Sequence, residues 1–123
     1  MTAPTETRPT VVLVEDDQAL RDAVQFSLEI EGYSVIACAS GEDLLDVVLP
    51  KTATCLVVDF HLAGMTGLDA LQTLRRRGQK HPTIIMTTAP SPLLREWARS
   101  TAATLIEKPL LGDVLIGAIR ALD

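Results

Sequence analysis

Five times along this 123-residue chain a short aliphatic run is followed by an amphipathic stretch. That alternation restricts the fold more than any other feature. The runs fall at 10–15 (TVVLVE), 34–38 (SVIAC), 55–59 (CLVVD), 83–87 (TIIMT) and 104–107 (TLIE). They are nearly continuous in apolar residues, as strands covered on both faces must be. The stretches between them have helical spacing. Residues 18–31 carry Leu20, Val24 and Leu28 on one face, with Gly32 as the stop. A helix opening at Ser40 or Gly41 and ended by Pro50 places Leu44, Leu45, Val48 and Leu49 inside. A third, from Gly67 or Leu68 to Arg77, buries Leu68, Leu71 and Leu74. Ser91 and Pro92 form an N-cap and first-turn pair for a helix to Ser100. Residues 110–122 turn Val114, Leu115, Ala118, Ile119 and Leu122 inward. Five strands alternating with five helices predict an α/β fold with a doubly wound parallel sheet.

The composition sets limits on function. With 47% hydrophobic and 22% charged residues, the chain makes one ordinary domain, predicted over 10–123 after a flexible tail at 1–9. A net charge of −5 leaves no basic face for direct nucleic-acid binding. No apolar run approaches the roughly 20 residues of a membrane span, so no membrane partner is expected. The opening "MTAPTETRP" lacks a signal-peptide core, and Cys38 and Cys55 read as small buried hydrophobes. Both point to a cytoplasmic protein.

In doubly wound sheets the site lies beyond the carboxyl ends of the strands. The first strand exits on Glu15, Asp16 and Asp17, the third on Asp59, the fourth on Thr87, Thr88 and Ala89, and the fifth on Lys108 and Pro109. Crowded carboxylates repel one another and call for a cation, and oxygen-only ligands select Mg²⁺ or Mn²⁺. Mg²⁺ takes one or two carboxylates together with a phosphate oxygen, and Lys108 adds a point charge suited to the same anion.

With these residues in order, the chain from Thr10 onward resembles the response-regulator receiver domains of two-component signalling. The acid pair matches Glu15 and Asp16, the phosphoacceptor Asp59, the hydroxyl residue Thr88, the lysine Lys108 of "EKP", and the glycine of the acceptor loop Gly67. The resemblance implies a flavodoxin-like sheet of order 2-1-3-4-5. It implies that Asp59 takes a phosphoryl group from a sensor histidine kinase or phosphotransfer protein, and that Glu15, Asp16, Asp59 and the His61 backbone carbonyl hold Mg²⁺. Thr88 would then move its loop, with Ala89, Trp97 and Leu105 on the surface that signals to a downstream protein target. This is a switch and not an enzyme acting on other molecules. Aspartate-nucleophile phosphatases carry a second Asp two residues after the nucleophile, where this chain has His61.

Some positions depart from the family pattern. Leu105 stands where an aromatic residue is common, and Thr101 where a glycine usually precedes the fifth strand. Two other functions stay open: the receiver part of a two-domain transcription factor, and a partner-binding receiver with atypical switching. Several residues have plain readings beside functional ones. His61 is a rim histidine or a metal ligand. Asp17 caps the first helix or joins the acid cluster. The run Arg75–Arg77 complements a helix C-terminus or binds an anion. Trp97 is half-buried packing or a partner surface. Of the two adjacent threonines, alternation should turn only one into the cleft, and Thr88 is the expected one.

Overall fold

The computed structural model describes residues 9–50, 53–108 and 113–122. Within them the strands are β1 (Thr10–Val14), β2 (Ser34–Cys38), β3 (Ala53–Asp59), β4 (Thr83–Thr87) and β5 (Thr104–Glu107). The helices are α1 (Gln18–Ile30), α2 (Gly41–Asp46), α3 (Gly67–Arg76), α4 (Pro92–Ser100) and α5 (Val114–Arg120). All strand pairs are parallel, and the sheet order is β2-β1-β3-β4-β5, as the resemblance implied. The predicted tail lies outside the described residues except for Pro9. Its carbonyl already accepts the Ser34 amide at 2.9 Å.

Successive strand residues feed opposite cores. Val11 and Leu13 pack with Val57, Ile84 and Met86 against α1 and α5. Val12 and Val14 pack with Leu56, Val58 and Ile85 against α2 and α3. Leu13, Leu28, Leu71 and Ile84 are almost wholly enclosed, each contributing roughly 1.5–3 kcal/mol of transfer free energy. Cys38 and Cys55 are buried in these layers. Burial, with Asp43 nearby, pushes the Cys38 thiol up to about 11, so it stays protonated and unreactive at neutral pH.

Four helices open on a side-chain cap. Asp17, Ser40, Thr66 and Ser91 each accept the amide three residues on, at 3.0, 3.0, 3.1 and 3.1 Å. Asp17 therefore serves α1 as its cap.

Two predicted helix faces are corrected. α2 stops at Asp46, and Val47 is extended (φ −80°, ψ 136°). Val48 is 91% exposed while Leu49 is buried. Two β-branched residues ahead of Pro50 favour extended backbone, so the burial alternates along 47–49 in the manner of a strand. In α5, Val114 is 51% exposed, and the buried stripe is Leu115, Ile116 and Ile119. At 3.6 residues per turn, Val114 falls well off the centre of that stripe. Residues 110–112 of this predicted helix lie outside the described residues.

Candidate functional site

At the carboxyl end of the sheet, β1 and β3 are adjacent and β5 lies one strand beyond β4. This brings Glu15, Asp59 and Lys108 together. Glu15 sits one residue past β1, and its amide still bonds the Cys38 carbonyl at 3.0 Å. Asp59 is the last residue of β3, paired with Met86 of β4. Lys108 follows β5, with its amide on the Thr87 carbonyl at 2.8 Å.

Lys108 Nζ donates to Glu15 Oε1 at 2.8 Å and to Asp59 Oδ2 at 3.1 Å. Glu15 is 1% and Asp59 4% exposed, so both carboxylates need this partner. Burial holds the Glu15 carboxyl above its ordinary range, with the Lys108 hydrogen bond opposing the shift. For Lys108, burial favours the neutral amine, but the hydrogen bonds to Glu15 and Asp59 outweigh it and raise the ammonium above its usual value.

The second oxygen of each carboxylate accepts a backbone amide. Glu15 Oε2 accepts the Asp17 amide at 3.2 Å, and Asp59 Oδ1 the His61 amide at 3.1 Å. Asp16 is exposed at the rim and accepts the Ala63 amide at 3.1 Å, which ties the loop after β3 to the turn after β1. Glu15, Asp16 and Asp59 each offer a carboxylate oxygen, all within 4.8 Å of one another. An all-oxygen donor set with excess negative charge suits a hard divalent cation.

The two adjacent threonines differ in burial. Thr87 is fully buried, and its Oγ1 lies 3.4 Å from His61 Nε2 and accepts the Ala89 amide at 3.3 Å. Thr88 is exposed, beyond the end of β4. Met86 is the partner of Asp59, so strand alternation assigns Thr87 to the opposite face, where its hydroxyl meets the His61 ring, and returns to the Asp59 face at position 88. The His61 side chain reaches this hydroxyl, edge-on to Phe60. Ala89 is exposed. Leu105 and Trp97 are partly buried against the core on the α2–α3 side, so Trp97 takes the packing reading.

Two of the three arginines complete neighbouring elements. Arg77 Nη1 donates to the Leu45 carbonyl at 2.9 Å, and Arg75 Nη2 to the Thr101 carbonyl at 3.4 Å. The left-handed turn before β5 falls on Ala102 (φ 57°) instead of Thr101.

Sequence reasoning missed Arg21. Its Nη1 donates to the Glu15 carbonyl at 2.9 Å and braces the acid turn. A cation near a helix N-terminus opposes the helix dipole, and that anomaly was the available signal.

Comparison with known proteins agrees with this geometry. The family described as the response regulator receiver domain matches residues 11–120. The transcriptional regulatory protein FixJ of Azorhizobium caulinodans is 35% identical over 112 residues, covering 90% of this chain and 53% of that protein. AfsQ1 of Streptomyces coelicolor, also a transcriptional regulatory protein, is 34% identical over 92% of this chain and 50% of its own length. The chain thus spans about half the length of the curated relatives it matches. Chemotaxis protein CheY4 of Vibrio cholerae superposes with a TM-score of 0.85 at 23% identity, covering 95% of this chain and all of that one. TrrA of Thermotoga maritima, solved in complex with Mg²⁺-BeF, gives 0.78 at 22% identity over 94% of this chain and 99% of its own. Among the described residues no helix is long and apolar enough to cross a membrane. Fold, strand-end acids and family match agree: this chain belongs to the response regulator receiver domains of two-component signalling.

Proposed function

We propose that this receiver works as a phosphorylation switch, with Asp59 as the phosphoacceptor. The observation that carries the reading is the Lys108 ammonium bridging the buried Glu15 and Asp59 beside the exposed Asp16. A carboxylate oxygen of Asp59 attacks the phosphorus of a phosphohistidine on a sensor kinase or phosphotransfer protein. The new O–P bond forms as the N–P bond breaks, and the imidazole leaves with the electron pair and takes up a proton. Glu15, Asp16, Asp59 and the His61 carbonyl would hold Mg²⁺, or Mn²⁺, which neutralises charge on the phosphoryl oxygens. TrrA's complex with Mg²⁺-BeF supports that choice of cation. Lys108 stays on the acceptor side and balances the charge that the modification adds. In this reading the responding hydroxyl is Thr88, which alternation from Met86, the partner of Asp59, assigns to the acceptor's face. The output is a shape change read by a protein target.

Incubation with Mg²⁺ and acetyl phosphate tests the reading. One base-labile phosphoryl adduct per chain is expected, absent in Asp59→Asn with folding retained and absent when Mg²⁺ is chelated. Label persisting in Asp59→Asn, or turnover of many phosphoesters, defeats the proposal.

A second reading concerns the whole protein. The curated relatives are transcriptional regulators about twice as long, which favours a role as the receiver part of a transcription factor. Nucleic acid would then be bound by another part, since this chain is acidic. Immunoblotting the native polypeptide for its size tests that reading.

A further inference from the structure

Of the three carboxylates in the acid pocket, Asp16 is held least. Glu15 and Asp59 are buried and share the Lys108 ammonium. Asp16 is exposed, and among the described residues its carboxylate meets no cation, only the Ala63 amide at 3.1 Å. An exposed aspartate has several rotamers open to it, so where it points depends on how the main chain beneath it is fixed. The peptide unit that joins Glu15 to Asp16 carries the carbonyl that Arg21 Nη1 grips at 2.9 Å. That carbonyl and the Asp16 amide lie in one rigid plane, so the guanidinium sets the direction in which Asp16 leaves the turn. The residues on either side are also pinned, Glu15 by its amide on the Cys38 carbonyl and Asp17 by its amide on Glu15 Oε2.

Arg21 is the fourth residue of α1, where a cation works against the helix dipole. Among the described residues it forms no ion pair, although Glu15, Asp16 and Asp17 stand in the same turn. Bonding a carbonyl instead leaves the carboxylate oxygens to other partners. From this arrangement, and resting on the divalent-cation reading above, we infer that Arg21 is a positioning residue for the metal site: it fixes the Glu15–Asp16 peptide so that the exposed carboxylate stays beside the two buried ones. Mg²⁺ demands near-ideal octahedral geometry, which makes its affinity sensitive to a displaced ligand. Arg21 acts on the cation in two ways of opposite sign. Its charge repels the ion, while its hydrogen bond pre-organises the ligand. The guanidinium is only partly buried, so water and salt screen the repulsion, and positioning wins.

Calorimetric titration of the full chain with MgCl₂, well below the unfolding midpoint, separates the two influences. Arg21→Met keeps an apolar stem and removes the donor, and Mg²⁺ should then bind about tenfold more weakly, the lower end of what outer partners of a metal site contribute. Arg21→Lys, whose ammonium can make the single bond that Arg21 makes, should recover most of that affinity. In the metal-free protein, exchange of the Ala63 amide should quicken in Arg21→Met and return towards wild type in Arg21→Lys, because that amide donates to the carboxylate Arg21 steadies. Where Arg21→Met does not fold, the shorter Arg21→Gln takes its place, with the same loss expected. Equal or tighter Mg²⁺ binding in the variant without the cation, or Ala63 exchange alike in all three proteins, overturns the positioning role alone. A wild-type chain with no affinity for Mg²⁺ overturns the cation reading and this role together.

Discussion

The loop after β3 and the turn after α4 treat glycine in opposite ways. At Gly67 a side chain has no room: a Cβ would collide with the Asp59 carbonyl oxygen and come within 3.0 Å of Val58 Cγ1. The glycine amide also bonds the Phe60 carbonyl at 3.3 Å, closing the loop after Asp59. At the α4–β5 turn, Ala102 holds a left-handed backbone that glycine adopts more readily. α4 and β5 also carry less covered apolar side chains. Leu93 is 83% exposed, and Leu105 is only partly covered. Tight steric fit is concentrated where a carboxylate must be held against its neighbours. At the far edge, a mildly unfavourable backbone and open surface are kept.

The largest expected effect lies in the acid pocket. Lys108→Met leaves two buried carboxylates without their cation and should cost about 3 kcal/mol at neutral pH. The sign with pH follows from the shifts. Lys108 is raised, so its stabilisation is present through neutral pH and lost only as pH climbs beyond the usual lysine value. Glu15 is also raised, so the folded state holds that proton more tightly than the unfolded chain does. Its ionisation therefore weakens folding as pH rises above the ordinary carboxylate range. The Lys108→Met deficit should then shrink on acidification, and shrink again with added Mg²⁺. Urea unfolding at several pH values, with and without Mg²⁺, measures both; a deficit indifferent to each would show that Lys108 does not neutralise the pocket. Next in size, Gly67→Ala should destabilise by about 1–3 kcal/mol through overpacking against Asp59. It should also weaken Mg²⁺ binding, read by calorimetry, because the displaced backbone carries the acceptor. An unchanged midpoint of unfolding would mean that the two regions do not differ as described.

Most of the fold was legible because apolar runs buried on both faces and capped helices leave direct marks in a sequence. The runs at 34–38 and 83–87 coincide with β2 and β4, and Ser91–Pro92 opens α4 as its chemistry requires. Less is legible where neighbouring residues compete for one role. Thr87 and Thr88 are chemically identical, and only the strand's register, with Met86 opposite Asp59, assigns their positions to different faces. Val48 fits a helical stripe on paper, yet Pro50 and its β-branched neighbours pull the chain extended. Arg21 and the Ala63 amide act through backbone groups, and those contacts leave little trace in a pattern of side chains.

The α4 edge offers smaller tests. Ser91→Ala removes the hydroxyl that accepts the Leu94 amide and should cost about 1 kcal/mol, seen as an earlier thermal midpoint with little change in Mg²⁺ affinity. A matching loss of Mg²⁺ affinity would tie α4 to the acid pocket more closely than the packing suggests.

The smallest effect has the opposite sign. Three helices end in the same way: the residue after the C-cap is left-handed, and the next amide reaches back to a carbonyl of the last turn. In α1 the bond runs from Tyr33 to Leu28, in α3 from Gln79 to Leu74, and in α4 from Ala103 to Ala98, at 3.1, 3.0 and 2.8 Å. The left-handed residue is Gly32 in the first, Gly78 in the second and Ala102 in the third. A Cβ in that conformation costs roughly 1–2 kcal/mol, while glycine gives back part of the gain through greater freedom in the unfolded chain. Ala102→Gly should therefore stabilise the protein by about 0.5 kcal/mol, measured as a higher urea midpoint at unchanged slope. If the gain comes with a smaller Trp97 response to phosphorylation, the alanine is part of what keeps α4 ready to move. If the variant is instead less stable, the contrast between a tight acceptor loop and a strained far turn does not hold.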